Sequence, residues 1–285
     1  MAHDEHHFVP AFLLRKWESG KDKKLTSFRW ARGKVFDSRF KAKSVAKQRH
    51  LYSTTDELGH RDNKLEREFM GPKVDDPAAL VHELMLTKGI EALSKDQWRD
   101  WSRFLVCQFI RTPSMVQRVR VRGREILMQG PEPVAADVLA PGEPAVPLAD
   151  WLLERKPTLF DDLGIDTLPY IVESKLLNGV FLGATWAIRK LKGTRFNYII
   201  SDTPLIYEGQ MQSDFLFALP LTPTVLFVAY SNEEVTGKNL DRASSYELVT
   251  TFNKAQTTQA DTYVFATDSM QRGLTERYLR KPADS

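Results

Sequence analysis

The sequence predicts an α+β fold, in which a helical first half packs on a mostly antiparallel sheet from the second half. Helical spacing of apolar residues dominates up to about residue 129, whereas short runs rich in Phe, Ile, Val and Tyr dominate after residue 180. The helical pattern and the strand pattern follow one another along the chain instead of alternating regularly, which argues against a parallel βαβ sheet. Of the 285 residues, 42% are hydrophobic and 27% are charged, as in ordinary globular proteins.

In the N-terminal third, turn residues and helix-breaking residues separate short elements of secondary structure. Pro10 suits the first position of a short helix, and the preceding Val9 should be extended. The segments Leu25–Arg32 and Lys34–Phe40 predict a β-hairpin that turns around Arg32-Gly33. A helix over Lys64–Met70 should then break at Gly71-Pro72.

The stretch from Ser94 to Thr112 predicts the central helix. Ser94 followed by Gln97 is a capping-box pattern at its start. Its apolar stripe comprises Trp98, Trp101, Phe104, Leu105 and Phe109. Gln108 and Arg111 interrupt this stripe, and a buried polar group needs a partner. Two interpretations stay open: the two residues form a structural clamp, or they line a cleft and hold an anionic group.

The second half begins after a proline-rich stretch, Gly130–Pro147, which we interpret as a linker or a variable insertion. It separates a helical half (1–129) from a strand-rich half (148–285), and we expect both to form one α+β domain spanning 1–285. Strands are expected at five places in the second half: Val180–Leu191, Phe196–Ser201, Phe215–Leu219, Val225–Tyr230 and Thr262–Ala266.

Charge and cysteine content indicate which partners and which cellular compartment to expect. The formal net charge of +3 is mildly basic, which allows nucleic acid or a nucleotide as a partner. Cys107 is the only cysteine, so no internal disulfide can form, and we expect a reducing cytoplasm. No apolar run reaches the roughly 18 residues that a membrane-spanning helix needs. We therefore expect a soluble, cytoplasmic protein with no membrane partner.

Four sequence blocks carry a resemblance to a known family. They are HFVPAFLLRKW at His7–Trp17, QFIRTP at Gln108–Pro113, ISDTPL at Ile200–Leu205 with LPLTP at Leu219–Pro223, and NKAQTTQADTYV at Asn253–Val264. With these blocks in this order, the chain resembles the bacterial DUF4238 family, which has no established activity. The resemblance covers nearly the whole chain and supports the choice of these landmarks, but it implies no reaction.

The leading functional hypothesis is a hydrolase that acts on a phosphodiester or another anionic substrate. Its most specific form is a nuclease assisted by a divalent metal such as magnesium. His7 would be the general base, and Asp202, at the end of a strand, would be an acid or a metal ligand. Gln108 and Arg111 would hold the anion.

Two further residues complete the candidate site. Glu66 lies on a predicted helix, so we consider it either a surface acid or a third metal ligand beside His7 and Asp202. Asn253 lies on a helix with apolar neighbours, where it would either cap a loop or bind substrate. Common signatures of NTPases, dinucleotide enzymes, α/β-hydrolases and zinc peptidases do not occur in the sequence.

The alternative hypothesis is a non-catalytic binding or interaction protein. In this interpretation Arg111 and Asp202 form a structural ion pair between the central helix and the sheet. The same residues would then serve the architecture of the fold rather than a reaction.

Overall fold

A computed structural model describes residues 4–55, 59–128, 134 and 146–281 of the chain. It shows a mixed α+β fold with antiparallel sheets, which confirms the predicted fold class. The α-helices are α1 (Ala11–Leu14), α2 (Asp76–Lys88), α3 (Lys95–Ile110), α4 (Pro113–Met128), α5 (Leu148–Arg155), α6 (Leu159–Asp166), α7 (Leu168–Val172), α8 (Lys175–Leu182), α9 (Lys238–Arg242), α10 (Ser245–Gln259) and α11 (Arg272–Tyr278).

Among the described residues, two π-helices and several short 3-10 helices supplement these α-helices. The π-helices are Glu66–Asp75 and Glu233–Gly237, and the 3-10 helices are Arg15–Trp17, Ala42–Ser44, Ile90–Ala92 and Ser269–Gln271. The strands are β1 (Glu5–His7), β2 (Leu25–Ala31), β3 (Lys34–Phe40), β4 (Lys47–Arg49), β5 (Thr54–Thr55), β6 (Arg61–Asp62), β7 (Thr185–Lys190), β8 (Ile200–Ser201), β9 (Ile206–Gly209), β10 (Phe215–Thr222), β11 (Val225–Tyr230) and β12 (Val264–Ala266).

Within the described part of the chain, the strands form two four-stranded sheets and two small ribbons. Sheet I has the order β7-β11-β10-β9, and sheet II has the order β3-β2-β12-β8. The ribbons are β1-β4 and β5-β6. Sheet I comes wholly from the second half of the chain, whereas sheet II combines the N-terminal hairpin with two strands of the second half.

Helix α3 packs on one face of sheet I. Its start is held by the predicted capping box, in which Gln97 N donates to Ser94 Oγ over 3.3 Å and Ser94 N donates to Gln97 Oε1 over 2.8 Å. The ring of Trp101 meets Phe227 of β11 edge-on, with 5.8 Å between the centroids. Helix α10 covers the opposite face of sheet I, where Phe252 is buried. Sheet I is therefore sandwiched between helices.

The predicted helix break at Gly71-Pro72 is wrong. The chain continues as the π-helix Glu66–Asp75 through Pro72 and runs directly into α2. In an α-helix the proline ring would clash with the carbonyl four residues earlier. The wider π-turn relieves that contact, so the helix survives at the cost of its regular hydrogen bonding.

The predicted strand Val180–Leu191 is too long at its N-terminal end. Ser174 caps α8 by accepting a hydrogen bond from Leu177 N, and this helix extends through Leu182. Strand β7 begins only at Thr185. Most of the proline-rich stretch Gly130–Pro147 lies outside the described residues. Among the residues that the structure describes, no helix is long and apolar enough to cross a bilayer.

Candidate functional site

Arg111 lies fully buried at the C-terminal end of α3. Its Nη1 donates to Asp75 Oδ1 over 2.6 Å, and its Nη2 donates to Asp75 Oδ2 over 3.1 Å. Nη2 also donates to the carbonyl oxygen of His7 over 2.6 Å. The expected ion pair between Arg111 and Asp202 is therefore wrong, because Asp75 is the carboxylate partner. With both terminal nitrogens engaged, Arg111 is poorly placed to hold a substrate anion.

Glu66 and Asp75 lie at the two ends of the same π-helix, and both interact electrostatically with Arg111. Burial raises the pKa of Glu66 to about 7, although the nearby Arg111 opposes this rise and Asp75 adds to it. Burial lowers the pKa of His7, and Arg111 lowers it further. At neutral pH His7 is therefore uncharged and Glu66 is close to half protonated. The hydroxyl of Tyr52 donates to the carbonyl oxygen of Arg111 over 2.6 Å.

Several buried polar atoms of this cluster have no hydrogen-bond partner among the described residues. They are His7 Nε2, Glu66 Oε2, Arg111 Nε and both amide atoms of Gln108. Gln108 lies one helical turn before Arg111, on the same side of α3. Buried polar groups are usually satisfied by protein or by ordered water, so ordered water is the expected partner of these atoms.

The raised pKa of Glu66 predicts a pH-dependent stability. An unfolded glutamate ionises near 4.5, whereas Glu66 in the native protein ionises near 7, so the native state retains a proton that the unfolded state loses. Stability should fall as the pH rises through this window. We expect Glu66→Gln to raise the free energy of unfolding by about 2 kcal/mol above about pH 7.5 and to change it little near pH 4.5.

Urea denaturation at several pH values measures this difference between the two proteins. Glu68→Gln is the matched control, because Glu68 lies exposed on the same π-helix. That control should retain the pH profile of the unmodified protein. Identical pH profiles for Glu66→Gln and the unmodified protein would contradict the prediction.

Asp202 lies outside this cluster and holds the 261–263 loop by hydrogen bonds. Its carboxylate accepts hydrogen bonds from three consecutive backbone N–H groups: Asp261 over 2.9 Å, Thr262 over 2.7 Å and Tyr263 over 2.8 Å. Burial raises the pKa of Asp202 to about 6, and these three bonds oppose the rise. The carboxylate is therefore a structural acceptor for the loop before β12.

The three metal-ligand candidates do not come together. His7 and Glu66 both lie near Arg111, whereas Asp202 is bound to the 261–263 loop. Across the described ranges, no group of three or more His, Cys, Asp or Glu side chains is placed to hold a metal ion. The structure thus contradicts a joint site of His7, Glu66 and Asp202.

Asn253 also makes architectural bonds. Its Oδ1 accepts from Ile199 N over 3.0 Å, and its Nδ2 donates to the carbonyl oxygen of Asn197 over 2.8 Å. One turn along α10, Gln256 accepts from Ser201 N over 2.8 Å. Both ends of the Asn253 amide are therefore occupied by backbone, which leaves little capacity for the expected substrate binding.

The hairpin of sheet II forms one wall of an open cleft of about 470 Å³. Residues 44–47 and Phe8 form part of the facing wall. Basic and aromatic side chains share the lining: Arg29, Arg32, Lys47, Phe36, Phe40 and Tyr263. We call this feature the basic–aromatic cleft.

The strand register explains why these side chains share one face. Arg29 of β2 pairs directly with Phe36 of β3, and the alternation of a strand places Phe40 on the same side. The opposite face of the hairpin is buried through Phe28 and Val35. The sequence contains this alternation, but it does not reveal which face another element covers.

Two residues that line the cleft are positioned by neighbouring structure: Arg32 by the hairpin turn and Tyr263 by the hydrogen bonds of Asp202. Arg32 and Gly33 both have positive φ, at 50° and 75°, as the two central residues of a tight hairpin turn require. Tyr263 follows Asp261 and Thr262, which Asp202 binds. Asp202, expected to be catalytic, thus positions an aromatic residue of the cleft.

The comparisons with known proteins add a family but no activity. Residues 5–131 and 177–270 match the family described as "Protein of unknown function (DUF4238)". No curated protein and no solved structure matches the chain.

Proposed function

Since the chain belongs to the DUF4238 family, whose function is unknown, we propose from the geometry that it binds single-stranded nucleic acid in the basic–aromatic cleft. The observation that carries this proposal is the mixture of cationic and aromatic side chains along one open concavity. Unpaired bases stack on aromatic rings, and arginine and lysine attract the phosphates between them.

The charges that line the cleft are available to a ligand. Arg29 and Arg32 make no ion pair within the described residues, and both side chains are exposed. Lys47 pairs with the exposed Glu5, and such surface pairs contribute little. Phe40 lines the cleft and retains 43% of its surface exposed, so its ring is accessible to a ligand.

The geometry favours binding over hydrolysis. Arg111, Asp202 and Asn253, which the hydrolase hypothesis requires at a substrate, all hydrogen-bond to other parts of the protein. This supports the alternative, a non-catalytic binding protein, although with Asp75 rather than Asp202 as the partner of Arg111. The expected nucleic-acid partner is retained in this proposal.

We expect Phe40→Ala to weaken binding of a labelled single-stranded oligonucleotide by about tenfold, because one stacked base is lost. Arg29→Glu should weaken it further and reduce its salt dependence, since a phosphate contact is replaced by repulsion. Fluorescence anisotropy with oligo(dT) and oligo(U) of about 12 nucleotides measures both effects.

Matched controls distinguish the cleft from the general surface. Tyr170→Ala removes an aromatic ring that is 79% exposed on α7, and Arg99→Glu reverses an exposed charge on α3. Both should bind like the unmodified protein. The proposal fails if no saturable binding occurs at about 0.1 M salt, or if the cleft variants and the controls weaken binding equally.

A further inference from the structure

We propose that the groove between α4 and α6 binds a free fatty acid, with the acyl chain inside the groove and the carboxylate at its mouth. The groove is an open cavity of about 620 Å³ that shares no lining residue with the basic–aromatic cleft. Its lining residues are Met115, Arg118, Val119, Arg122, Gly123, Leu163, Gly164, Thr167 and Ile171. We call this cavity the α4–α6 groove. The proposal does not depend on the proposed function of the basic–aromatic cleft.

One wall of the α4–α6 groove is a continuous face of α4. Met115, Val119 and Gly123 recur every four residues, so they lie on one side of this helix. Arg118 and Arg122 lie next to this row and are also four residues apart. The wall therefore combines a row of uncharged residues with a neighbouring row of two cations.

The other wall comes from α6, α7 and the residue between them, and close packing at Gly164 fixes its distance from α4. A Cβ atom added at Gly164 would lie only 3.1 Å from Arg120 Cα and 3.2 Å from the carbonyl oxygen of Val119. The two helices thus approach each other through their backbones at this point. The groove lies beside a rigid helix contact, so its width is set by the fold.

The interior of the α4–α6 groove is apolar. Met115, Val119 and Ile171 are half-buried against the main hydrophobic core, and Leu163 retains 38% of its surface exposed. Open cavities of about 300–1,000 Å³ with mostly apolar walls bind small organic ligands, and the volume of this groove lies within that range. A hydrocarbon chain in the groove would remove these side chains from water, which is favourable.

The charges at the groove favour an anionic head group. Arg118 and Arg122 are its charged lining residues, and no acidic residue is among those that the structure describes there. Arg118 is exposed and forms no hydrogen bond or ion pair with any described residue. Arg122 pairs with Glu125 over 3.1 Å, but both side chains are mostly exposed, so a ligand anion can replace Glu125 at little cost.

The two arginines can serve both parts of such a ligand. The methylene stem of an arginine packs on apolar surface while its guanidinium remains in water. Arg118 and Arg122 line an apolar groove and are exposed, which fits stems along the wall and cations at the mouth. A long-chain carboxylate matches this arrangement, because its chain fits the interior and its charge fits the mouth.

Titration calorimetry with sodium dodecanoate, at about pH 7.5 and below its micelle concentration, tests the groove. We expect saturable binding, with decanoate about tenfold weaker because two methylene groups fewer are buried. Gly123→Leu should abolish binding, since its side chain fills the groove, and leucine favours a helix more than glycine does. Gly179→Leu on α8 is the matched control, because a Cβ atom there meets nothing within 4 Å, and it should bind like the unmodified protein.

A charge variant tests the head group separately. Arg118→Glu should weaken dodecanoate binding by about fivefold, because attraction is replaced by repulsion, and should leave the binding of neutral dodecanol unchanged. Arg99→Glu reverses an exposed charge on α3 and should bind both ligands like the unmodified protein. Equal binding of dodecanoate by Arg118→Glu and Arg99→Glu would overturn the assignment of the carboxylate to the mouth of the groove.

Two results would overturn the whole proposal. One is the absence of saturable dodecanoate binding below the micelle concentration, and the other is equal binding by Gly123→Leu and Gly179→Leu. Sedimentation with phosphatidylglycerol vesicles distinguishes a free fatty acid from a lipid surface. If the protein sediments with these vesicles but does not bind monomeric dodecanoate, the groove contacts a membrane surface and the proposal is wrong.

Discussion

Replacing Arg111 with methionine should reduce the free energy of unfolding by about 4 kcal/mol. The substitution leaves the carboxylate of Asp75 without a counter-ion and removes the donor from the His7 carbonyl. Because Arg111 is fully buried, solvent cannot replace the lost bonds without local opening. Urea denaturation followed by tryptophan fluorescence measures the loss, since Trp17 and Trp101 are both fully buried.

Two further variants define the cause of that loss. Arg99→Met removes an exposed arginine from the same helix and should change stability by less than about 1 kcal/mol. Adding Asp75→Leu to Arg111→Met should recover about half of the lost stability, because no buried charge is then left unpaired. A loss below about 1 kcal/mol for Arg111→Met alone would show that the pair does not hold the helices together.

Asp202→Ala should reduce the free energy of unfolding by about 3 kcal/mol. Three backbone N–H groups of the 261–263 loop would lose their acceptor, and the position is only 3% exposed. Asp202→Asn should have an intermediate effect, since the amide retains one acceptor oxygen. Thermal and urea unfolding both measure the change.

Asp241→Ala is the control for that substitution. Asp241 forms an exposed ion pair with Arg189, so its removal should cost less than about 1 kcal/mol. If Asp202→Ala folds with the stability of the unmodified protein, the carboxylate does not clamp the loop. Asp202 would then again be a candidate for a chemical role.

Local signals predicted local structure well. The capping box at Ser94 marked the start of α3, and Arg32-Gly33 marked the hairpin turn, because both depend on neighbouring residues only. The prediction of a helix break at Gly71-Pro72 failed for the opposite reason. There the tertiary structure tolerates a widened turn that the local preference of proline opposes.

From the sequence, His7, Glu66 and Arg111 were grouped in one candidate site with Gln108 and Asp202. In the structure His7 and Glu66 lie near the ion pair between Arg111 and Asp75. Asp75 was missed because it precedes Asp76-Pro77, so that position suggests a helix cap rather than a partner 36 residues away. Distance along the chain carries no information about which of 37 acidic residues meets a buried arginine.

The cleft was missed although the hairpin that carries it was predicted. Phe36 lies in the predicted strand Lys34–Phe40, and strand propensity does not distinguish a buried ring from one that faces a cavity. Which face remains open depends on segments far along the chain, such as the loop before β12, which brings Tyr263 to the same surface.

The amide groups of α10 have a consequence for self-association. An edge strand exposes backbone donors and acceptors that invite pairing with another molecule. At β8 and the residues just before it, the side-chain amides of Gln256 and Asn253 bind the backbone N–H groups of Ser201 and Ile199 and the carbonyl oxygen of Asn197, as a neighbouring strand would. These backbone groups are therefore unavailable for pairing with a strand from a second copy of the chain.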